Sequence, residues 1–517
     1  MSNRPGIQEE AVDINLRRHA PIGMDAATFR SLGHRLVDQV AGLLEAVPLG
    51  PVTRDESPSA VREALNLTGP LPESGMDPGL LLDQTAQLLF AHSLFNAHPR
   101  FFGYITAAPA PIGILGDFLA AAVNPNVGAW TLSPAATEIE AQTVQWIASL
   151  MGYPADCGGL LVSGGNMANF VCFLAARVAK AGYDVREFGI SADAGRRLRV
   201  YGSIETHTWI QKAADLSGLG TASIRWIATD QKLRMSVEAL RQQIEADKAA
   251  GDVPCLVVGT AGSVSTGAID PLPEISALCK EYGVWFHVDG AYGGFAAAVP
   301  EASDHLRGLS QADSVAVDPH KWLYAPLEAG CALVRDPEML RAAFAYHPPY
   351  YHFEERATNY VDYGPQNSRG FRALKVWLAL RQVGAAGYRK MIGDDIRLSQ
   401  IMAGEIRRHA ELEYMTQELS ITTFRYVPFD LRPKLQEPQV ESYLDALNLE
   451  ILERLQRGGE TFLSNALVGG RYVLRACIVN FHTSEADVKA VPAIVARIGL
   501  AADAQLRPTT LAAARSK

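Results

Sequence analysis

The chain has 517 residues, 48% of them hydrophobic and 20% charged, with a mean hydropathy near zero. That is the composition of a globular protein in water, too long for one simple core, so two or three domains are expected. Forty-seven basic and 56 acidic residues leave a net charge of −9 spread without runs, which argues against nucleic acid and against a membrane surface as the main partner.

The six cysteines, Cys157, Cys172, Cys255, Cys279, Cys331 and Cys477, are scattered without a CxxC pair. They suit a reducing compartment and show no zinc-site spacing, so no metal is expected. The opening stretch "MSNRPGIQEEAVDINLRRHA" has no apolar signal core. No apolar run approaches the roughly 20 residues that span a bilayer, and a cytoplasmic location is the expectation.

In "MDAATFRSLGHRLVDQVAGLLEAV", Phe29, Leu32, Leu36, Val40, Leu43 and Leu44 recur at helical spacing behind a candidate N-cap, Asp25. Links rich in Pro, Gly and Ser (48–60 and 68–79) lead to a second helix in "LLLDQTAQLLFAHSLF". Two helices with so little chain between them cannot bury their apolar faces alone; they must lie on another domain or subunit. Residues 1–109 are therefore set apart as an N-terminal helical segment.

From about 110 to 345 short apolar runs alternate with helical stretches: "GGLLVSGG", "LRVYGSIETH", "CLVVGTAGSV", "VWFHVDGAYGG", "SVAVDPHKW" and "GCALVRD". This is the rhythm of a mostly parallel sheet with crossover helices, an α/β fold. Ligands of such sheets bind beyond the carboxyl ends of the strands, where Ser163, His207, Ser263, Asp289 and Lys321 fall. "FRALKVWLALRQVG" reads as a long helix leaving this 110–395 domain. Residues 396–501 mix helices with the strand candidates "SITTFRYVPF" and "YVLRACIVNFH", a smaller α+β domain; 502–517 reads as a polar, alanine-rich and disordered tail.

Four features at the strand ends share one chemistry. Ser163-Gly164-Gly165-Asn166 runs straight into a helix, and free N–H groups at a helix start suit an anion. Asp289 ends an apolar strand, where a carboxylate needs a cationic partner, and small Gly290 and Ala291 beside it leave room for something flat. His207 sits just beyond another strand. Lys321, placed by "DPHKW" at the end of an apolar run, follows Asp289 by 32 residues, about one strand–helix–strand unit. Pyridoxal phosphate (PLP) asks for all four: a lysine for its aldehyde, an acid for its ring nitrogen, a surface to stack on and a cradle for its phosphate. Each feature also has a purely structural explanation; the four together favour the cofactor.

These residues, with "HPRFFGY" (98–104), "SPAATEIE" (133–140) and "GFRALKVWLALR" (370–381), resemble the group II PLP-dependent decarboxylases, in the branch of the aromatic-L-amino-acid decarboxylases, over roughly residues 20–490. The resemblance implies fold type I of the PLP enzymes, with a seven-stranded-type sheet covered on both faces. It implies that Lys321 carries PLP, that Asp289 pairs with the pyridine nitrogen, that Ala291 packs under the ring and that His207 stacks on the other face. Gly165, Asn166 and His320 would hold the phosphate, with Ser263 or Ser265 as weaker candidates. Tyr350 in "YHPPYYHFEE", close to Tyr346 and Tyr351, matches a loop tyrosine that protonates the carbon left by CO2.

The resemblance further implies a homodimer wrapped by the N-terminal helices, with residues of one subunit over the other's site. Tyr104, Trp130, Asn126 and Gly128 map to the substrate pocket; Gly128 would widen it and Asn126 make it more polar. Arg369 in "NSRGF" reads as structural or near the phosphate. The implied reaction is decarboxylation of a free aromatic L-amino acid to the amine, with an apolar place for the departing carboxylate. An aldehyde synthase, which oxidatively deaminates after decarboxylation, a decarboxylase of a non-aromatic amino acid, and a PLP-binding protein without turnover are the rivals.

Overall fold

Val315 and Val317 enter one apolar core while Ala316, between them, enters another. The strand Ser314–Val317 is buried on both faces, which period-2 geometry requires when helices cover both sides of a sheet. Its computed structural model describes residues 20–66, 69–190, 197–300, 302–349 and 357–511. The chain divides into two compact units, one of Met1–Leu49 with Glu56–Ser93, the other of Gly50–Asp55 with Leu94–Lys517.

In the first unit, helix Ala26–Ala46 starts at Asp25, whose side chain accepts the Thr28 N–H, and has no buried residue. Helix Pro78–His92 buries only Ala86. The two are tied by polar contacts: Arg35 to Asp83 at 3.1 Å and Gln39 Nε2 to Asp83 Oδ1 at 3.0 Å. Between them lies a short helix, Pro58–Ala64, started by Ser57 and a proline at its first position.

The second unit holds a seven-stranded sheet: β1 Gly158–Val162, β2 Leu198–Ser203, β3 Ile224–Ile227, β4 Val253–Thr260, β5 Trp285–Asp289, β6 Ser314–Val317 and β7 Gly330–Val334. The order is β1-β7-β6-β5-β4-β2-β3. β3, β2, β4, β5 and β6 run parallel, and β7 is antiparallel to both neighbours. Six of the strands coincide with the six apolar runs. β3, "IRWI", has no such run: it is an edge strand that buries Ile224 and Ile227 and turns Arg225 and Trp226 outward, leaving too short a pattern to read.

One face of the sheet is covered by helices Pro134–Leu150 and Leu272–Tyr282, through Val144, Ile147, Ile275 and Leu278. The other is covered by Gly165–Lys180 and Trp209–Leu216, through Val171, Phe173, Trp209 and Ala213. This is the helix-covered, mostly parallel sheet expected.

A second sheet of β8 Leu412–Glu418, β9 Ile421–Tyr426, β10 Ser464–Val468 and β11 Arg471–Cys477 is antiparallel throughout, in the order β10-β11-β9-β8. Phe424, Leu444, Ile451, Val488 and Val495 form its core. Helix Ala373–Arg408 runs from the first sheet to this core, kinked at Gly384, where φ is 67°. It crosses position 395 without a break, so the expected border there lies inside a helix.

The disordered tail expected from 502 needs correction over its described residues, 502–511. Helix Glu485–Leu506 opens on a Ser484–Asp487 capping box and buries Ala502 and Asp503. Arg507 then bonds Asp430 and Asp503, and Leu511 is buried. Alanine-rich chain is good helix former, and its buried face is too sparse to see in the sequence. No helix among the described residues is long and apolar enough to cross a membrane.

Candidate active site

The parallel strands end on a cavity of about 600 Å³ whose wall includes Ser163, Gly165, Asn166, His207, Asp289, Ala291, His320 and Lys321. Residues spread over 159 positions of chain thus meet at one edge of the sheet, where the carboxyl ends of β1, β2, β5 and β6 converge.

Lys321 lies in the single turn Pro319–Trp322 that follows β6. Its Nζ is 3.0 Å from Asp318 Oδ2. The turn is anchored behind the lysine, because buried Trp322 and Tyr324 both donate to Asp395 Oδ2, at 2.8 and 2.7 Å, and the Tyr388 hydroxyl donates to the Leu323 carbonyl. Trp322 also stacks on Tyr292, centroids 4.9 Å apart. The opening apolar run and its abrupt lysine therefore make a half-buried amine on a turn that packing holds rigid.

Asp289 ends β5, and both of its oxygens have donors: the Trp209 indole N–H reaches Oδ2 at 2.7 Å and the Ala291 N–H reaches Oδ1 at 3.1 Å. Each carboxylate oxygen keeps a further lone pair for a ring N–H. His207 precedes the helix that carries Trp209, and the Trp209 backbone N–H donates to His207 Nδ1 at 3.2 Å. That bond places the proton of the neutral imidazole on Nε2. Desolvation lowers the pKa of His207, opposed by Asp289 and assisted by Lys321, even though the residue's surface is open to the cavity. A neutral ring suits a stacking role.

The anion cradle is the start of helix Gly165–Lys180, where no side chain caps the free N–H groups. Gly164 has φ 120°, and a Cβ on Gly165 would stand 2.7 Å from Asp318 Oδ2 and 3.1 Å from Ala291 Cβ. Only glycine lets the backbone come this close. His320 faces the same space: Ala329 N–H donates to its Nδ1 at 3.1 Å, leaving Nε2 as the donor. Burial is the largest cause of its lowered pKa. Buried Thr260 Oγ1 and Asp318 Oδ1 have no partner in the chain, and both residues line the cavity. Amine, ring-nitrogen acid, flat shelf and anion cradle fit PLP.

Several expected site residues stand elsewhere. Ser263 is buried and bonds Ser265 and Thr266, while the Ser265 hydroxyl donates to the Glu205 carboxylate. Neither is in the cavity wall. Tyr104 does line the cavity, but Asn126, Gly128 and Trp130 do not. Asn126 Oδ1 accepts the N–H groups of Gly128 and Arg369. A Cβ on Gly128 would lie 2.3 Å from the Asn367 carbonyl oxygen. The Trp130 indole N–H donates to Glu138 at 2.8 Å. Arg369 is structural: its guanidinium pairs with fully buried Glu140 and donates to the Leu161 carbonyl at 2.7 Å. Tyr350 lies outside the described residues.

Three cavity residues carried no readable signal. Trp209 looked like an ordinary core aromatic. Glu205 is two places before His207 but has no motif of its own. Arg475 comes from β11 of the second sheet, 154 residues after Lys321. It is 2% exposed. Its Nη1 donates to the Tyr104 carbonyl and Ser464 Oγ, both at 3.0 Å, while Nε and Nη2 have no partner.

Comparison with known proteins bears on this geometry. The model of the pyridoxal-dependent decarboxylase conserved domain matches residues 70–427. An aromatic-L-amino-acid decarboxylase of Bacillus atrophaeus is 32% identical over 470 residues, 90% of this chain and 94% of that protein. A phenylacetaldehyde synthase of a Rosa hybrid cultivar is 30% identical, over 90% of this chain and 92% of its own. The crystal structure of Oryza sativa TDC with PLP and tryptamine superposes with a TM-score of 0.85 at 27% identity, covering 94% of this chain and 99% of the other. With its lysine, aspartate and glycine cradle around one cavity, the chain belongs to the pyridoxal-dependent decarboxylases, carboxy-lyases that work with PLP.

Proposed function

We propose that the enzyme decarboxylates a free aromatic L-amino acid to the corresponding amine and CO2. The observation that carries the reading is the convergence of Lys321, Asp289, His207 and Arg475 on one cavity. Pyridoxal phosphate, when bound, supplies an electron-accepting ring for the electron pair that CO2 leaves behind. Lys321 is the amine that would hold the cofactor, in the place a substrate amine would also seek. Asp289 keeps a proton on the ring nitrogen, with its own position held by Trp209. His207 lies against the ring as a neutral imidazole. Gly165, Asn166 and His320 hold the phosphate, and Ala291 supports the ring.

Arg475 supplies what the sequence did not suggest. Its unpartnered Nε and Nη2 suit the substrate carboxylate, alongside the apolar place expected for that group. A guanidinium fork fixes a carboxylate's direction, and so the orientation of the bond that breaks. Tyr104, Ile105, Val264 and Leu327 offer apolar surface to a side chain, and the aromatic-acid relatives favour an aromatic one. Tyr350 is the proposed donor of the proton to Cα. The bare faces of helices Ala26–Ala46 and Pro78–His92 favour a homodimer, and the six free cysteines favour a reducing compartment such as the cytoplasm.

The test is a competition assay read by mass spectrometry. Purified enzyme with PLP meets a mixture of the standard amino acids with hydroxylated tyrosine and tryptophan, beside Lys321→Ala as control. An aromatic amine absent from the control is the expected product, and an amine from an acidic or basic amino acid would overturn the substrate class. In Tyr350→Phe, product shifts from amine towards aldehyde, the outcome of the synthase rival; amine alone at the wild-type rate would remove Tyr350 from the mechanism.

A further inference from the structure

Asp318 has no role in the chemistry described so far, yet it is the group closest to the reactive amine. It ends β6 with its side chain almost fully buried, and Oδ2 stands 3.0 Å from Lys321 Nζ and 3.6 Å from His320 Nε2. Oδ1 has no partner. The carboxylate also reaches the glycine turn, where it leaves no room for a Cβ at Gly165. A buried carboxylate beside an anion cradle is costly, so it needs a cation, and the ammonium form of Lys321 stands at ion-pair distance.

We propose that Asp318 is the counter-ion that receives Lys321 as an ammonium whenever the lysine is not bonded to the cofactor. The carboxylate then acts as a brake. To bond the aldehyde carbon, the amine must give up one proton to solvent, after which the aldehyde oxygen leaves as water; no oxidant or reductant takes part. An opposite charge in contact favours the charged, unreactive form, and the same pairing stores the lysine when a substrate amine takes its place. Other charged or titratable groups face this pair: His320 on the same turn, Asp289 on β5, Glu205 and His207 after β2, and Arg475 on β11. None comes closer to Nζ than a contact the chain already shows for Asp318. The proposal rests on Lys321 being the lysine that carries PLP.

The experiment uses the full chain stripped of cofactor. Capture of PLP and of pyridoxal, which lacks the phosphate, is followed by the visible absorbance of the bound aldehyde. Borohydride reduction and peptide mapping then identify the lysine. In Asp318→Asn both aldehydes are captured about tenfold faster near pH 7, the least change expected when an opposite charge in contact is removed. Asp318→Glu restores slow capture. Acceleration with PLP alone would overturn the proposal, because Asp318 would then act on the phosphate. No acceleration with either aldehyde would overturn it too. Aldehyde fixed on another lysine in the wild type would instead overturn the assignment of Lys321, and the counter-ion with it. If Asp318→Asn fails to fold, Asp318→Ser is read against the same two aldehydes.

Discussion

Asp395 makes the fold of this enzyme sensitive to pH in a calculable way. It is buried on helix Ala373–Arg408 and accepts from both Trp322 and Tyr324 through one oxygen. Burial, with help from neighbouring Asp394, pushes its pKa from 3.8 up to about 7, against the pull of those two donors. A carboxyl whose pKa is raised by folding stabilises the protein fully below its unfolded pKa, and that stability is lost as pH rises through the folded value. The window is therefore pH 4 to 7. At 1.36 kcal/mol per unit the loss is about 4 kcal/mol in all, of which about 3 kcal/mol falls between pH 5 and pH 8. Asp395→Asn keeps an acceptor for both donors and removes the titration. With an unfolding entropy of about 1.1 kcal/mol/K for a chain of this length, the variant's Tm relative to wild type should rise by about 2–3 °C from pH 5 to pH 8. Differential scanning fluorimetry of both proteins at the two pH values measures it. A difference in Tm that does not change with pH would refute the buried, titrating carboxyl.

Three further outcomes are expected. Trp209→Phe removes the N–H on Asp289 while keeping an aromatic ring beside His287; losing one hydrogen bond of about 1–1.5 kcal/mol weakens PLP binding about tenfold, measurable by equilibrium dialysis. Arg475→Met raises KM about 10–100-fold, the value of a charged hydrogen bond of 1.5–3 kcal/mol, and leaves inhibition by the product amine unchanged because the amine has no carboxylate. Equal weakening of both ligands would assign Arg475 to holding Tyr104 rather than substrate. Gly128→Ala forces a contact at 2.3 Å with Asn367; overpacking of about 1–3 kcal/mol lowers Tm by about 1–3 °C and leaves substrate preference as it was.

Lys321, Asp289 and the Gly164-Gly165 turn were legible because each stands where local physics alone would not put it. A lysine closing an apolar strand, a carboxylate closing another and paired glycines before a helix are locally expensive, and chain order then limits what could use them. The six buried strands were legible for a related reason: covered on both faces, they leave continuous apolar runs. β3 had no run to read, and the terminal helix carried too thin a buried face. Gly128 has a reason no local pattern shows, because a glycine's reason can be the atom its missing Cβ would strike, here a backbone oxygen 239 residues further on.

The sequence by itself determined the class of sheet, through its apolar runs, and the cofactor and reaction family, through motifs that resemble those of a known family. Only the tertiary structure decided what surrounds them. Trp209 steadies Asp289, Asp395 holds the lysine's turn from another helix, and Arg475 enters from a second sheet. Such contacts join residues tens to hundreds of positions apart, and a buried hydrogen-bond partner is chosen by where the packed chain brings a donor, which no local pattern records.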